Sequence, residues 1–356
     1  MGTINWLTPE EHGAWDAFVA RHPMGSVYQL SSWHRVLETA FRHIRGRFLV
    51  LRDESGQIQA GLPVYQVKSW LLKNRTVSIP FASVCDPLVS SREEFALLWR
   101  EIEKISRSHK SKRVEIRTRW ASRDFLPTEM TIGAKCMHHY LPLNKSTTEL
   151  FRSFHDSCVR RRVKRAQQAG AVIEERQDEE SLRAFHAIMV ATRRRLSLPP
   201  MPYAFFEAMF RCLVPNHAKL YMVVHRGQAV GGALFLNFKG EWTAEYSGHA
   251  DEAPPGADQL VYWHAIQQAH DNGARSFSFG RTSLDNGGLL EYKRRWATVE
   301  EELTDYVWYP GHAPAWTDRS SQTTRGSMRA AIQQLLRHSP SAVQKAIGDF
   351  SYRHMG

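Results

Sequence analysis

The sequence predicts an α+β chain made of two similar halves, each a mixed central sheet flanked by helices. Two hairpins point to this. Residues 47–66 (RFLVLRDESGQIQAGLPVYQ) and 219–236 (KLYMVVHRGQAVGGALFL) each read as an apolar strand, a polar turn and a second apolar strand. Their turns, GQIQAG at 56–61 and GQAVGG at 227–232, share Gly-Gln and a final Gly, which suggests an internal duplication. Helical periodicity brackets both hairpins.

In the first half, residues 10–20, 30–41 and 93–108 carry apolar side chains at helical spacing. The last does so through Phe95, Leu98, Trp99, Ile102 and Ile105. Strands are expected at 76–81 and 113–118. In the second half a long helix is expected over 147–170, ending at Gly170. Strand 171–175, helix 178–195, a break at Pro199, Pro200 and Pro202, and helix 203–213 follow. Beyond the second hairpin come strand 241–248, a helix from Pro254-Pro255-Gly256-Ala257-Asp258 to Asn272, strand 274–279, and a last strand within 303–309. An antiparallel hairpin ahead of a strand–helix–strand unit is unusual for a doubly wound nucleotide fold.

The two domains are expected at residues 1–145 and 146–310, divided at Leu141-Pro142-Leu143-Asn144-Lys145-Ser146. Residues 311–356 read as a basic amphipathic helical tail. In it Met328, Ile332, Leu335 and Leu336, then Val343, Ile347 and Phe350, form two apolar faces broken at Pro340. Arg325, Arg329, Arg337, Lys345 and Arg353 lie alongside, so the tail suits either packing on a domain or peripheral contact with an anionic membrane face.

The 356 residues are 42% hydrophobic and 23% charged, ordinary globular material. There is no apolar run of about 20 residues and no secretory leader pattern, so a cytoplasmic location is expected. Cys85, Cys136, Cys158 and Cys212 are scattered without a C-x-x-C, which argues against a disulfide framework or a zinc site. The net charge of +11 predicts attraction to phosphates. Arg160, Arg161, Arg162, Lys164 and Arg165 concentrate that charge on the expected long helix. The 160/164 and 161/165 pairs repel at i,i+4 spacing, a cost that a phosphate-rich partner would offset. Arg161 and Arg165 are therefore candidate substrate contacts; a solvated basic face is the alternative.

The stretch 276–296, SFSFGRTSLDNGGLLEYKRRW, ends a strand in Gly-Arg, crosses a Gly-rich loop and delivers Tyr-Lys-Arg-Arg-Trp. With YQLSSWHRVL (28–37), SIPF (78–81), VEIRT (114–118), RRRVKRAQQAG (160–170) and LTDYVWY (303–309), in that order, it resembles the FemAB family. That family is a branch of the GNAT N-acyltransferases with two tandem GNAT-like domains. Members add amino acids from aminoacyl-tRNA to peptidoglycan precursors, and relatives occur with envelope polysaccharide genes. The resemblance spans about residues 1–310, and the segment 277–297 carries most of it. Ser278, Tyr292 and Ala297 stand where the family usually has Asp, Phe and Gly.

The resemblance implies two tandem GNAT-like domains and an N-acyltransferase of a cell-envelope precursor: peptidoglycan, polysaccharide or lipid. The donor would be aminoacyl-tRNA or acyl-CoA, with no permanently bound cofactor. Acyl transfer to an amine needs an anchored donor, proximity, a proton acceptor, and donors for the oxyanion. Lys293 matches the Lys of the family's Phe-Lys motif and is expected to hold the oxyanion or a donor phosphate. Arg281 is a second cation suited to phosphate or carboxylate. Glu245 and Asp285 are candidate proton acceptors. Gly280, Gly287 and Gly288 would let the backbone approach a ligand, with Tyr292 beside them. Tyr28, Gln29 and Trp33 are candidate acceptor contacts; core packing is the competing account of Trp33.

Residues 247–257 lack the Arg/Gln-x-x-Gly-x-Gly/Ala pattern of ordinary coenzyme A sites and carry two acids and two prolines. This argues against a standard acetyl-CoA cradle. The expected partners are a phosphate-bearing envelope precursor and tRNA. The alternative is a catalytically silent member that binds a glycan or nucleotide-sugar in an envelope polysaccharide assembly.

Overall fold

The computed structural model describes residues 2–311 and 341–354. In chain order its strands are β1 (Thr3–Trp6), β2 (Ile44–Arg52), β3 (Ile58–Val67), β4 (Arg75–Val77), β5 (Arg113–Thr118), β6 (Thr131–Pro142), β7 (Val172–Arg176), β8 (Ala218–His225), β9 (Gln228–Phe238), β10 (Glu241–His249), β11 (Ser276–Ser283) and β12 (Val299–Trp308). The helices are α1 (His12–Arg21), α2 (Ser31–Ala40), α3 (Arg92–Ser108), α4 (Thr147–Ser153), α5 (Arg161–Gln168), α6 (Glu179–Arg195), α7 (Tyr203–Leu213), α8 (Ala257–Asp271), α9 (Gly287–Arg294) and α10 (Ser341–Tyr352).

The chain forms two compact units, neither of them one continuous stretch. Unit 1 gathers Met1–Ala134, Arg193–Ala208 and Thr304–Gly356; unit 2 gathers Lys135–Thr192 and Met209–Leu303. A division at 145/146 falls inside the Lys135–Thr192 segment. The strand order is β1-β2-β3-β4-β5-β12 in unit 1 and β7-β8-β9-β10-β11-β6 in unit 2. Pairing repeats strand for strand. The first four strands of each are antiparallel neighbours, the fourth and fifth are parallel, and the sixth returns antiparallel. A helix supplies each parallel crossover, α3 before β5 and α8 before β11. The duplicated hairpins are thus part of a duplicated mixed-sheet plan.

The glycines shared by the two hairpin turns have separate jobs. Gly56 and Gly227 hold φ of +82° and +76° in the turns, a region open to glycine at little cost. The final glycines, Gly61 and Gly232, answer to packing. A Cβ on Gly61 would lie 2.6 Å from the Trp15 ring, and one on Gly232 2.7 Å from Met222 Sδ. Trp15 in turn stacks on Phe48 with 4.8 Å between centroids, at the centre of the unit 1 core.

The helix expected over 147–170 is broken. α4 ends at Ser153; Phe154 and His155 turn extended; a π-helical turn over Asp156–Arg160 leads into α5. Tertiary contacts outweigh local propensity here. Phe154 is buried against Trp263 and Trp296, and His155 N–H donates to Arg295 O at 2.9 Å. Asp156 also answers the expected repulsion, because its carboxylate pairs with Arg160 at 3.1 Å and Arg161 at 2.6 Å. Such exposed pairs contribute little each.

The described part of the tail packs on unit 1. Tyr352 lies 5.5 Å from the Phe81 ring and its hydroxyl accepts from Arg193 Nη2 at 2.6 Å. A Cβ on Gly348 would lie 2.3 Å from Pro200 O. Met328, Ile332, Leu335, Leu336, Arg325, Arg329 and Arg337 lie outside the described residues. Among the described residues no helix is long and apolar enough to cross a membrane, and no side-chain cluster has the makings of a metal site. The four cysteines are free.

Candidate active site

The candidate site is in unit 2, where two parallel strands part. β10 and β11 pair over Glu241–Thr243 and Ser276–Ser278, yet run on to His249 and Ser283. Both strands carry an irregularity just past the split. β10 slips against β9 between Ala244 and Tyr246, which leaves Glu245 as the extra residue. β11 slips against β6 between Ser278 and Arg281, and Gly280 sits there at φ +69°. Bulges bend a strand and sharpen its twist, so paired bulges at one level drive parallel neighbours apart.

The side chain that reaches this bulge is Lys293. Asn286 starts α9 by accepting the Leu289 N–H at 3.2 Å. Leu290 and Lys293, one turn apart, are its buried positions. Lys293 is 6% exposed, and its Nζ donates to Gly280 O at 2.9 Å and Arg281 O at 3.3 Å. Two of its three ammonium protons are thereby fixed. Burial alone pushes Lys293 down from 10.5 to about 7. The side chain is not turned to solvent, and at neutral pH it is poised between its charged and neutral forms.

Two further groups stand near it that sequence reasoning missed. His139 on β6 is buried and bonds Glu300 through Nε2 at 2.9 Å. Burial and the charge of Lys293 hold His139 below the usual imidazole range. Glu300 also pairs with Arg294 at 2.7 Å. The signal available was the alternation within β6 (Cys136-Met-His-His-Tyr), which turns neighbouring residues to opposite faces; nothing local names Glu300 as the partner.

The other expected residues are distributed as follows. Ser278 braces the backbone. Its Oγ accepts the Gly280 N–H at 3.1 Å and lies 3.5 Å from His138 Nε2. A hydroxyl in place of the family's Asp still holds the bulge. Arg281 turns its Nη2 to Cys136 Sγ at 2.9 Å, so its carbonyl rather than its guanidinium meets Lys293. Tyr292 packs half-buried beside Trp296, and burial pushes its phenol well above the ordinary range. Asp285 is exposed at the loop tip. Gly287 and Gly288 begin α9 with nothing within 4 Å of a Cβ and need no special backbone. Of the three loop glycines only Gly280 is conformationally required. Gly287→Ala should leave activity unchanged and hold or slightly raise the melting midpoint, whereas Gly280→Ala should cost about 1 kcal/mol and displace the Lys293 acceptors. Thermal melts of the two variants check this.

Arg161 and Arg165 are on α5. Arg161 helps line a 500 Å³ pocket with Arg152, Arg160 and Lys164, one acid (Asp156) and the rings of Phe151 and Trp263; Arg165 lies outside it. Neither this pocket nor the 670 Å³ pocket of unit 1 is lined by Lys293.

Tyr28, Gln29 and Trp33 belong to unit 1 and are placed in its interior, not in an acceptor groove. Gln29 Oε1 accepts from Ser26 N–H at 2.7 Å, and Nε2 donates to Asp86 O at 2.7 Å. Core packing is the account the geometry gives for all three.

Unit 1 contains the same strand arrangement without an opening. β4 pairs with β5 over Arg75–Val77 and Arg113–Glu115, and the chain then folds along β5. Cys85 N–H donates to Arg117 O at 2.8 Å, and Asp86 Oδ1 accepts the N–H groups of Arg119, Trp120 and Ala121 at 2.8–2.9 Å. In unit 1 a loop amide, the Cys85 N–H, thus serves a β5 carbonyl, whereas in unit 2 the β11 carbonyls are served by the Lys293 ammonium.

Comparison with known proteins agrees with this topology. The acetyltransferase (GNAT) domain family model matches residues 154–294, a span that ends one residue past Lys293. FemX superimposes with a TM-score of 0.69 at 17% identity, over 86% of this chain and 97% of FemX. A tandem GNAT protein from the clavulanic acid biosynthesis pathway gives 0.57 at 11% identity, over 88% of this chain and all of that one. The chain has a tandem GNAT fold. L-PGS from Bacillus licheniformis superimposes with a TM-score of 0.57 at 11% identity, over 93% of this chain and 98% of that chain. No curated protein sequence matches. The sequence resemblance to the FemAB family therefore has its counterpart in the tandem GNAT fold.

Proposed function

We propose that this tandem GNAT protein is an N-acyltransferase that moves an aminoacyl or acyl group onto an amine of a cell-envelope precursor. The observation that carries the reading is Lys293, a buried ammonium held by two carbonyls of the β11 bulge with one proton left to donate. In direct attack the acceptor amine adds to the donor carbonyl carbon, and the carbonyl oxygen becomes an oxyanion. The third N–H of Lys293 stabilises that oxygen; as the carbonyl re-forms, the C–O or C–S bond to the donor breaks and the ribose oxygen or sulfur takes up the proton released by the amine. Glu245, on the β10 bulge beside the same divergence, takes the amine proton; Asp285 at the loop tip is the less suited carboxylate. Glu245→Gln should lower kcat about 100-fold.

The donor reading rests on the N-terminus of α8. Its first turn already holds Asp258, which pairs with His249 at 2.8 Å. Pro254 and Pro255 offer no N–H, and Gly256 is pressed against Arg162 O. A pyrophosphate there would meet the Asp258 carboxylate beside the amides of the first turn. The basic pocket on α4, α5 and α8 suits the phosphodiester backbone of a nucleic acid. Aminoacyl-tRNA is accordingly preferred to acyl-CoA as donor, and a phosphate-bearing precursor as acceptor. The test offers the protein radiolabelled aminoacyl-tRNA, acetyl-CoA and long-chain acyl-CoA with an envelope extract. Label transferred from aminoacyl-tRNA supports the reading; transfer from acetyl-CoA alone removes the donor argument. Transfer from no donor favours the silent glycan-binding alternative.

A further inference from the structure

Unit 1 displays three consecutive large apolar side chains in water: Trp70 at 74% exposure and Leu71 and Leu72 at 49% each. Among the described residues no other run of three exposed large hydrophobics occurs. The turn that presents them is built. Leu72 N–H donates to Ser69 Oγ at 2.8 Å, Ser69 N–H to Asn74 Oδ1 at 3.3 Å, and Asn74 Nδ2 to His109 O at 3.0 Å. α10 extends the apolar surface, for Phe350 is itself exposed and lies 6.4 Å from the Trp70 ring. His354, two residues beyond α10, anchors the contact edge-on to Trp70 at 5.1 Å, with its Nδ1 3.1 Å from Ser69 Oγ.

Cations surround this tip. Lys68 and Lys73 flank it in sequence. Beside it opens a 670 Å³ pocket whose lining includes Arg42, Lys68 and Arg353, with His43 and His354 and a single acid, Asp349. The side chains of Arg42, Lys68 and Arg353 have no hydrogen bond or ion pair among the described residues.

We propose that this surface docks on an anionic lipid bilayer: Trp70, Leu71, Leu72 and Phe350 enter the headgroup–acyl boundary, and the cationic pocket beside them takes a lipid phosphate. A projecting Trp-Leu-Leu turn ringed by Lys and Arg matches both layers of such an interface, apolar below and negative above. A soluble phosphate would explain the pocket but not the exposed apolar tip. The net charge of +11 points the same way. The proposal goes beyond the acyl-transfer reading and does not depend on Lys293. It also moves the expected membrane contact from the amphipathic tail alone to the β3–β4 turn.

The test is flotation of the full chain with vesicles of phosphatidylcholine alone or mixed with about one third phosphatidylglycerol. The unchanged protein should float with the anionic vesicles and stay behind with the neutral ones. Trp70→Ser with Leu72→Ser should weaken binding about tenfold or more, and so should Lys68→Glu with Arg353→Glu. Because Trp70, Leu72, Lys68 and Arg353 are surface side chains, thermal melts should show both variants folded. Glycerophosphate, the headgroup without chains, should not compete at concentrations that saturate no vesicle site. Equal flotation of variants and parent, or equal binding to neutral vesicles, would overturn the proposal. So would self-association of the parent in sedimentation that the Trp70/Leu72 variant abolishes, which would assign the surface to a second copy.

Discussion

Lys293→Met should abolish acyl transfer and at the same time stabilise the protein. The two effects have one cause. A drop from 10.5 to about 7 means that the folded environment disfavours the ammonium by on the order of 5 kcal/mol. Methionine fills nearly the same volume without a charge, but it leaves Gly280 O and Arg281 O without their donor, at about 1–2 kcal/mol each. The expected net gain is roughly 1–3 kcal/mol at low pH. Its pH dependence has a definite sign. The unfolded chain keeps the proton up to about 10.5 and the folded one only to about 7, so the unfolded state binds more protons between those values. The parent therefore gains stability as pH rises through that window, and the advantage of Lys293→Met shrinks. Denaturant unfolding of both proteins near pH 6 and near pH 9 measures it. Transfer activity of the variant should fall at least about 100-fold, the scale of one lost oxyanion donor. A variant that is less stable at both pH values would show that Lys293 is a structural cation.

Gly256→Ala should be among the most damaging single-methyl changes in unit 2. Gly256 sits at φ +99°, and a Cβ there would lie 2.0 Å from Arg162 O, a backbone atom that cannot step aside. The left-handed conformation alone costs about 1–2 kcal/mol for an alanine. Separating the start of α8 from α5 costs more, since Val163, Ala166, Leu260 and Val261 share the core at that contact. A total of about 3 kcal/mol or more is expected, read as a lowered unfolding midpoint. Gly273→Ala is the control. It also has positive φ, +70°, but nothing lies within 4 Å of its Cβ, so only the conformational cost remains. Equal losses in the two variants would remove the α5–α8 contact from the account of the donor site.

The repeated hairpins were readable because their constraint is local: a turn glycine and a glycine beneath a large side chain recur at fixed spacing. The strand–loop–helix ending in Lys293 was readable for the same reason. What lay beyond the sequence was non-local. β6 joins the sheet of unit 2 and β12 that of unit 1, so the units interleave along the chain and no composition change marks them. The break at Phe154-His155 sits in strong helical periodicity and is imposed by Arg295 and the Trp263–Trp296 cluster. Gln29 looked like a polar contact residue, yet every polar atom of its amide serves the Ser26 and Asp86 loops. Gly287 and Gly288 drew attention by composition, while φ and open space show them to be ordinary helix residues. Glu300 entered the site only through its pairing with His139.

The central claim, that the charged form of Lys293 stabilises the reacting oxygen, is tested most directly by the pH dependence of kcat/KM with aminoacyl-tRNA as donor. Burial pushes the free enzyme's ammonium down to about 7, so above that value kcat/KM should fall tenfold per pH unit relative to a variant whose cation stays charged. Lys293→Arg, whose guanidinium stays charged, should retain weak transfer without that descending limb. A parent profile that keeps rising to about pH 9, or a descending limb that persists unchanged in Lys293→Arg, would contradict it.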